Sequence, residues 1–140
     1  MNKINVGRVI LGGLVCGLIL NIGEFILNTK VLAAQMRAMA IQHNFPPEPP
    51  MNGIMVAVAL TFVMGIVLVL GYACIRPRLG PGAKTAIVAG LFAWFAVYLY
   101  VGLINSVFVG MPSGIVILML IWGLVQYLLA AVAGAALYKE

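Results

Sequence analysis

Four long apolar runs dominate the pattern of hydrophobic and polar positions along the chain. They extend from Val6 to Asn28, Ile54 to Ile75, Ala83 to Val109 and Ile115 to Tyr138, and glycine is their main interruption. Because a helix needs roughly 20 apolar residues to cross a hydrocarbon core of about 30 Å, each run predicts one transmembrane helix. The pattern therefore predicts an all-α polytopic membrane protein, a four-helix bundle that forms one domain over residues 1–140.

The segment between the first two runs, residues 29–51, is the only sizeable one outside the predicted helices. In its first part Leu32, Met36 and Met39 recur at helical spacing, which predicts a short helix in the outer membrane interface. The prolines of residues 45–50 then require an extended turn that no helix can continue. We expect this segment to cap the outer end of the bundle.

Composition and charge agree with a lipid environment and predict an orientation. The chain is 64% hydrophobic and 8% charged, whereas a soluble domain carries about 25% charged residues. The basic residues divide unevenly across the predicted topology: Lys3, Arg8, Arg76, Arg78, Lys84 and Lys139 on one side, Lys30 and Arg37 on the other. Short basic loops stay in the cytoplasm, so we expect both termini and the loop at residues 76–82 to be cytoplasmic. Anionic lipid headgroups are the natural partner for this charge, and no nucleic-acid surface is expected.

A stripe of glycine and polar residues follows one face of the first helix. Gly13, Gly17, Asn21, Glu24 and Asn28 are separated by steps of four, four, three and four residues, which places them on one side of a helix. An ionisable group within a membrane helix usually faces the bundle or a wet cavity. Two interpretations of Glu24 follow: it hydrogen-bonds or pairs within the protein, or it belongs to a site for an ion, a proton or a lipid headgroup.

Two polar residues on later helices are expected near this stripe. Asn105 should lie at a similar depth to Glu24, and Gln126 somewhat nearer the middle of the membrane. With Asn21 and Asn28 they predict an outward-facing pocket around Glu24. Hydrogen bonding between helices alone would select the same residues, so both interpretations remain open.

Small residues at close-packing spacing predict the faces through which helices meet. These helix-packing residues are Gly13, Gly17, Gly65, Gly123 and Gly134. The third helix also carries Gly90, Trp94, Tyr98 and Gly102 at steps of four. Such an aromatic stripe favours packing or lipid contact over a bound quinone or carotenoid, so no cofactor is expected.

A metal site has only weak support in the sequence. Met36, Met39 and His43 lie at positions i, i+3 and i+7, where one helical face would offer soft ligands to copper. Methionine suits an interfacial apolar face equally well. His43 is the only histidine, which argues against haem ligation and Ser–His–acid catalysis, and we expect a non-enzymatic protein.

Two stretches of the sequence resemble a group of small bacterial four-helix membrane proteins of uncharacterised function. They are Gly23-Glu24-Phe25 followed by Asn28, and IRPRLGPGAKTA at residues 75–86. The resemblance covers the whole chain and implies a bacterial inner-membrane location and the same topology. We therefore expect a protein that associates through its glycine-rich faces, as a homo-oligomer or as an accessory subunit of a larger membrane complex. The alternative is a small transporter, channel or lipid-binding protein that uses the pocket around Glu24.

Overall fold

The computed structural model describes residues 3–139, and within them the chain is all-α. Its segments are α1 (Val6–Ile26), π1 (Leu27–Val31), α2 (Ala33–Gln42), α3 (Met51–Leu79), α4 (Ala83–Trp94), π2 (Phe95–Tyr100), α5 (Val101–Val109) and α6 (Ser113–Ala136). Four stretches are long and apolar enough to cross a membrane: Val6–Val31, Met51–Leu79, Ala83–Val109 and Ser113–Ala136. The predicted fold class, a membrane bundle of four helices with an additional short helix, is confirmed.

The second span is longer at both ends than the sequence predicted. It begins at Met51, directly after Pro50 in an extended conformation, and it continues past the predicted loop start to Leu79. Pro77 lies inside its last turn, where the missing N–H removes a hydrogen bond only at the very end of the helix. The connection to α4 is thereby reduced to residues 80–82. Gly80 and Gly82 have φ angles of 84° and 122° there, values that favour glycine.

The spans form a ring in the order α1, α3, α4 and α6, so that α1 and α4 lie on a diagonal. Two hydrogen bonds bring the described chain ends and the 80–82 connection together. The Asn5 N–H donates to the Tyr138 hydroxyl at 3.4 Å, and the Gly82 N–H donates to the Tyr72 hydroxyl at 3.1 Å. We call this end of the bundle the terminal end. The opposite one, which carries α2 and the turn at residues 110–112, is the distal end.

Packing is tight in the terminal half of the bundle and loose in the distal half. Cys16, Val69 and Ala131 in the terminal half are fully buried, at 0% exposure. In contrast, residues 51–60 of α3 are all exposed, and Phe108 of α5 is 85% exposed. α3 and the α4–π2–α5 span are joined at the terminal end and diverge toward the distal end.

The glycine faces predicted from the sequence hold helices of the same chain together. A Cβ on Gly65 would lie 2.7 Å from the Cα of Gly17, and one on Gly134 would lie 2.8 Å from the carbonyl oxygen of Gly12. Gly13 is equally close to the α3 backbone at Ile66. These faces are therefore filled within one chain, and a second chain would have to contact another surface. Association of the protein through glycine-rich faces stays a prediction.

Candidate functional site around Glu24

The carboxylate of Glu24 lies in the last turn of α1 and points across the bundle toward the diagonal span. The Tyr98 hydroxyl of π2 donates a hydrogen bond to Glu24 Oε1. Gln126 Nε2 of α6 donates to the same oxygen at 2.6 Å and to the Tyr98 hydroxyl at 2.9 Å. Glu24 is half-buried, whereas Tyr98 and Gln126 are buried. One carboxylate thus joins three of the four spans.

Trp122 fixes the direction of these hydrogen bonds. Its indole N–H, which can only donate, reaches Gln126 Oε1 at 3.1 Å and the Gly23 carbonyl at 3.2 Å. The Gln126 carbonyl therefore faces Trp122, and its NH₂ group faces the carboxylate and Tyr98. Because the Tyr98 oxygen accepts from Gln126, its own proton is directed to Glu24.

Asn28 completes the donors around the carboxylate. Its Nδ2 donates to the Glu24 carbonyl at 2.8 Å and to Glu24 Oε2 at 3.3 Å. Tyr98, Gln126 and Asn28 all present hydrogens to the carboxylate, and an ionised carboxylate is a group that only accepts. The network is therefore complementary to the charged form of Glu24.

Two glycines and two π segments make this arrangement sterically possible. A Cβ on Gly123 would overlap the ring of Tyr98, and one on Gly23 would overlap the amide of Gln126. The Tyr98 ring also packs edge-on against Tyr127, with ring centroids 5.8 Å apart. Each π segment supplies one partner of the carboxylate, Asn28 from π1 and Tyr98 from π2. Wider turns of this kind occur frequently at functional sites.

The structure brings together some of the predicted pocket residues and separates others. Asn28 and Gln126 meet Glu24, but Asn21 bonds the carbonyls of Gly17 at 2.9 Å and Val58 at 3.4 Å and so ties α1 to α3. Asn105 is exposed on α5, and within residues 3–139 no hydrogen bond joins it to Glu24. The physical reason is π2, whose wider turns change the register of the following helix.

The register change is visible directly after π2. Ser106, the next residue after Asn105, is 7% exposed and donates to the Leu103 carbonyl. An uninterrupted α-helix would keep Asn105 on the same face as Tyr98, seven residues earlier. The π segment instead turns Ser106 toward the protein and Asn105 away from it.

Tyr98 and Trp122 are site residues that the sequence did not reveal. Tyr98 was assigned to an aromatic packing stripe, although its hydroxyl is a polar group in an apolar span and needs a partner. Trp122 precedes Gln126 by four residues, a spacing at which side chains on one helix meet. This spacing is the feature of the sequence that indicates a contact between Trp122 and Gln126.

The cavities near the site are small or open to the surroundings. One of about 10 Å³ lies beside Tyr98, Gly102 and Ser106, which is room for about one water molecule. A wider groove of about 390 Å³ shares Ser106 and continues between α5 and α6 past Gly110. Both therefore lie on the side of Tyr98 that is nearer the distal end.

The suggested copper ligands lie on α2 and directly after it. Met36 and Met39 lie on α2, and His43 follows its last residue with its ring 6.5 Å from the ring of Phe45. Within residues 3–139, no three His, Cys, Asp or Glu side chains are grouped so that they could hold a metal ion. Copper binding by the two methionines and His43 stays a prediction.

Comparison with known proteins gives no relative for this chain. No protein family model, no curated protein and no solved structure matches it. Its function is therefore inferred from its own residues.

Proposed function

We propose that the protein is a non-enzymatic component of a bacterial inner membrane that works by association, as a homo-oligomer or as an accessory subunit of a larger membrane complex. The main support for this proposal is that the distal halves of α3 and of the α4–π2–α5 span diverge from each other. Residues 51–60 of α3 are all exposed, and Val107 and Phe108 of α5 are 79% and 85% exposed. Helices in lipid associate largely through side-chain packing, so the exposed stretches of these spans gain packing from another chain.

We further propose that the terminal end faces the cytoplasm. Most basic residues belong to segments at this end: Lys3, Arg8, Arg76, Arg78, Lys84 and Lys139. Positively charged short loops are retained on the cytoplasmic side during insertion. The distal end, with α2 and the proline-rich turn, then faces away from the cytoplasm.

Photocrosslinking in native membranes tests association through the distal halves. A benzophenone amino acid replaces Leu60 or Phe108, which are 61% and 85% exposed, and a matched control replaces Phe92, which is 69% exposed in the terminal half. We expect a discrete adduct from the two distal positions, at twice the chain mass for a homo-oligomer or at a larger defined mass for a complex. Adducts no stronger than those from Phe92 would contradict the proposal.

A second candidate, a small transporter, channel or lipid-binding protein, is favoured by the chemistry of Glu24. Among residues 3–139, its carboxylate accepts hydrogen bonds only from the neutral side chains of Tyr98, Gln126 and Asn28. Ionisable groups in membrane spans often mark binding sites or transport pathways. In this interpretation, the ligand supplies the positive charge that the surrounding spans do not.

A further inference from the structure

The spans that surround Glu24 contain no positive charge at its depth. Neither π2 nor α6 contains a charged residue, and α3 has none before Arg76, near the terminal end. Lys30 lies on π1, at the distal end of the first span, and Arg37 lies on α2. Both are exposed, as is Glu48 in the proline-rich turn. A carboxylate that is complementary to its charged form thus lies in the bundle without a described counterion, and an unpaired charge in a membrane is costly.

The Glu24 residue is half-buried, and α3 passes near its depth. The bond from Asn21 to the Val58 carbonyl sets the register between α1 and α3, so that Ile54, one turn nearer the start of α3, lies near the depth of Glu24. Ile54 and Val58 are 41% and 42% exposed. α3 packs on α1, α4 and α6, whereas π2 and α5 pack on α6 and their own span. Extensive packing between α3 and π2 is absent among residues 3–139, and Glu24 is half-buried beside π2.

The site has too few oxygen atoms left to bind an inorganic cation. Hard metal ions require several oxygen ligands, typically six or more for Ca²⁺ or Mg²⁺. Here the Gln126 carbonyl accepts from Trp122, and the Asn28 side chain presents its NH₂ group to Glu24. Only Oε2 of Glu24 is left with a single, long hydrogen bond of 3.3 Å. The site offers one negative charge within apolar walls.

We propose that Glu24 anchors a binding site for a lipophilic organic cation, which enters between the distal half of α3 and π2. Such a ligand needs one negative charge and apolar contact, and it does not need several oxygen ligands. Glu24 supplies the charge, and Ile54 and Val58 supply apolar surface. This inference deepens the second candidate function and is independent of association, because every named residue belongs to one chain.

Binding of two ions of the same shape and opposite charge provides the test. The full chain in lipid nanodiscs is titrated with tetraphenylphosphonium and, separately, with tetraphenylborate, and empty nanodiscs correct for partition into lipid. We expect saturable binding of one phosphonium ion per chain and no saturable binding of the borate. Equal binding of both ions, or none of the phosphonium ion, overturns the proposal without any variant.

Two matched variants assign the binding to the carboxylate. Glu24→Gln keeps an oxygen that accepts from Tyr98 and Gln126, and we expect phosphonium affinity to fall by about tenfold or more. Glu48→Gln removes the same charge from an exposed position, and its affinity should match that of the unmodified chain. An unchanged affinity in Glu24→Gln contradicts the proposal, as does an equal loss in Glu48→Gln. The crosslinking yield from Leu60 is measured in parallel, so that loss of binding and loss of association are distinguished.

Discussion

At the residue scale, Trp122 orients the hydrogen-bond donors of Glu24, although it makes no hydrogen bond to Glu24 itself. Its N–H fixes the amide of Gln126, which in turn directs the Tyr98 proton to the carboxylate. Because the Trp122 N–H can only donate, it determines the orientation of the Gln126 amide and, through it, of the Tyr98 hydroxyl. We infer that the whole network, as well as its direct partners, holds the Glu24 carboxylate in its position.

Removal of a single hydroxyl tests this network. Tyr98→Phe deletes a donor to Glu24 and leaves one Gln126 N–H without its acceptor, so we expect a loss of about 1–2 kcal/mol in unfolding free energy. Tyr100→Phe, two residues further along and 60% exposed, should change stability by less than about 0.5 kcal/mol. Denaturation of both variants in detergent micelles measures the difference. Equal stability of the two would contradict a contribution of the network to folding.

At the element scale, the closest helix contacts depend on positions where no side chain fits. Gly65 of α3 lies against Gly17 of α1, and Gly123 of α6 lies against the Tyr98 ring. The first contact holds two spans together along their terminal halves, and the second leaves space for a site residue. Small residues at both contacts let helices approach closely, which is the main source of association between helices in lipid.

Alanine substitutions at two glycines of the same helix separate packing from helix propensity. Gly65→Ala places a Cβ 2.7 Å from the Cα of Gly17, and we expect a loss of about 1–3 kcal/mol as α1 and α3 are forced apart. Gly71→Ala meets nothing within 4 Å, and should be neutral or gain up to about 1 kcal/mol from helix propensity. Thermal denaturation in detergent compares the two variants. A loss at Gly71 as large as that at Gly65 would rule out packing as the cause.

At the scale of the whole molecule, the ring of spans is closed at one end and open at the other. Tyr138 contributes to the terminal end, where its ring packs on Tyr72 at a centroid distance of 5.9 Å and lies 5.4 Å from the Arg76 guanidinium. The distal end lacks comparable contacts between α3 and α5 within residues 3–139. The orientation of the chain therefore determines whether the open distal end faces the cytoplasm or the opposite side of the membrane.

Cysteine accessibility measures that orientation. Cys16 and Cys74 are replaced by alanine, and single cysteines are introduced for Glu48 or Pro81, both exposed and at opposite ends of the bundle. With a membrane-impermeant maleimide we expect labelling at position 48 in intact cells. Position 81 should react only after permeabilisation, because its loop lies among the retained positive charges. The reverse pattern would invert the proposed topology.

The sequence by itself determined the four spans and the inward direction of Glu24. Both follow from local physics: the length of an apolar run is compared with the thickness of the bilayer, and a carboxylate is too costly to face lipid. It also identified Asn28 and Gln126, because few polar residues occur in the spans and each needs a partner.

Only the tertiary structure decided which groups meet the carboxylate. Tyr98 reaches Glu24 and Asn105 does not, because π2 changes the helical register and Gly123 leaves room for the Tyr98 ring. The tertiary structure also decides what the glycine faces contact. They pack against spans of the same chain, because the order of the spans in the ring places those spans beside them. A π turn and a ring order depend on the packing of all four spans together, and no local stretch of residues contains that information.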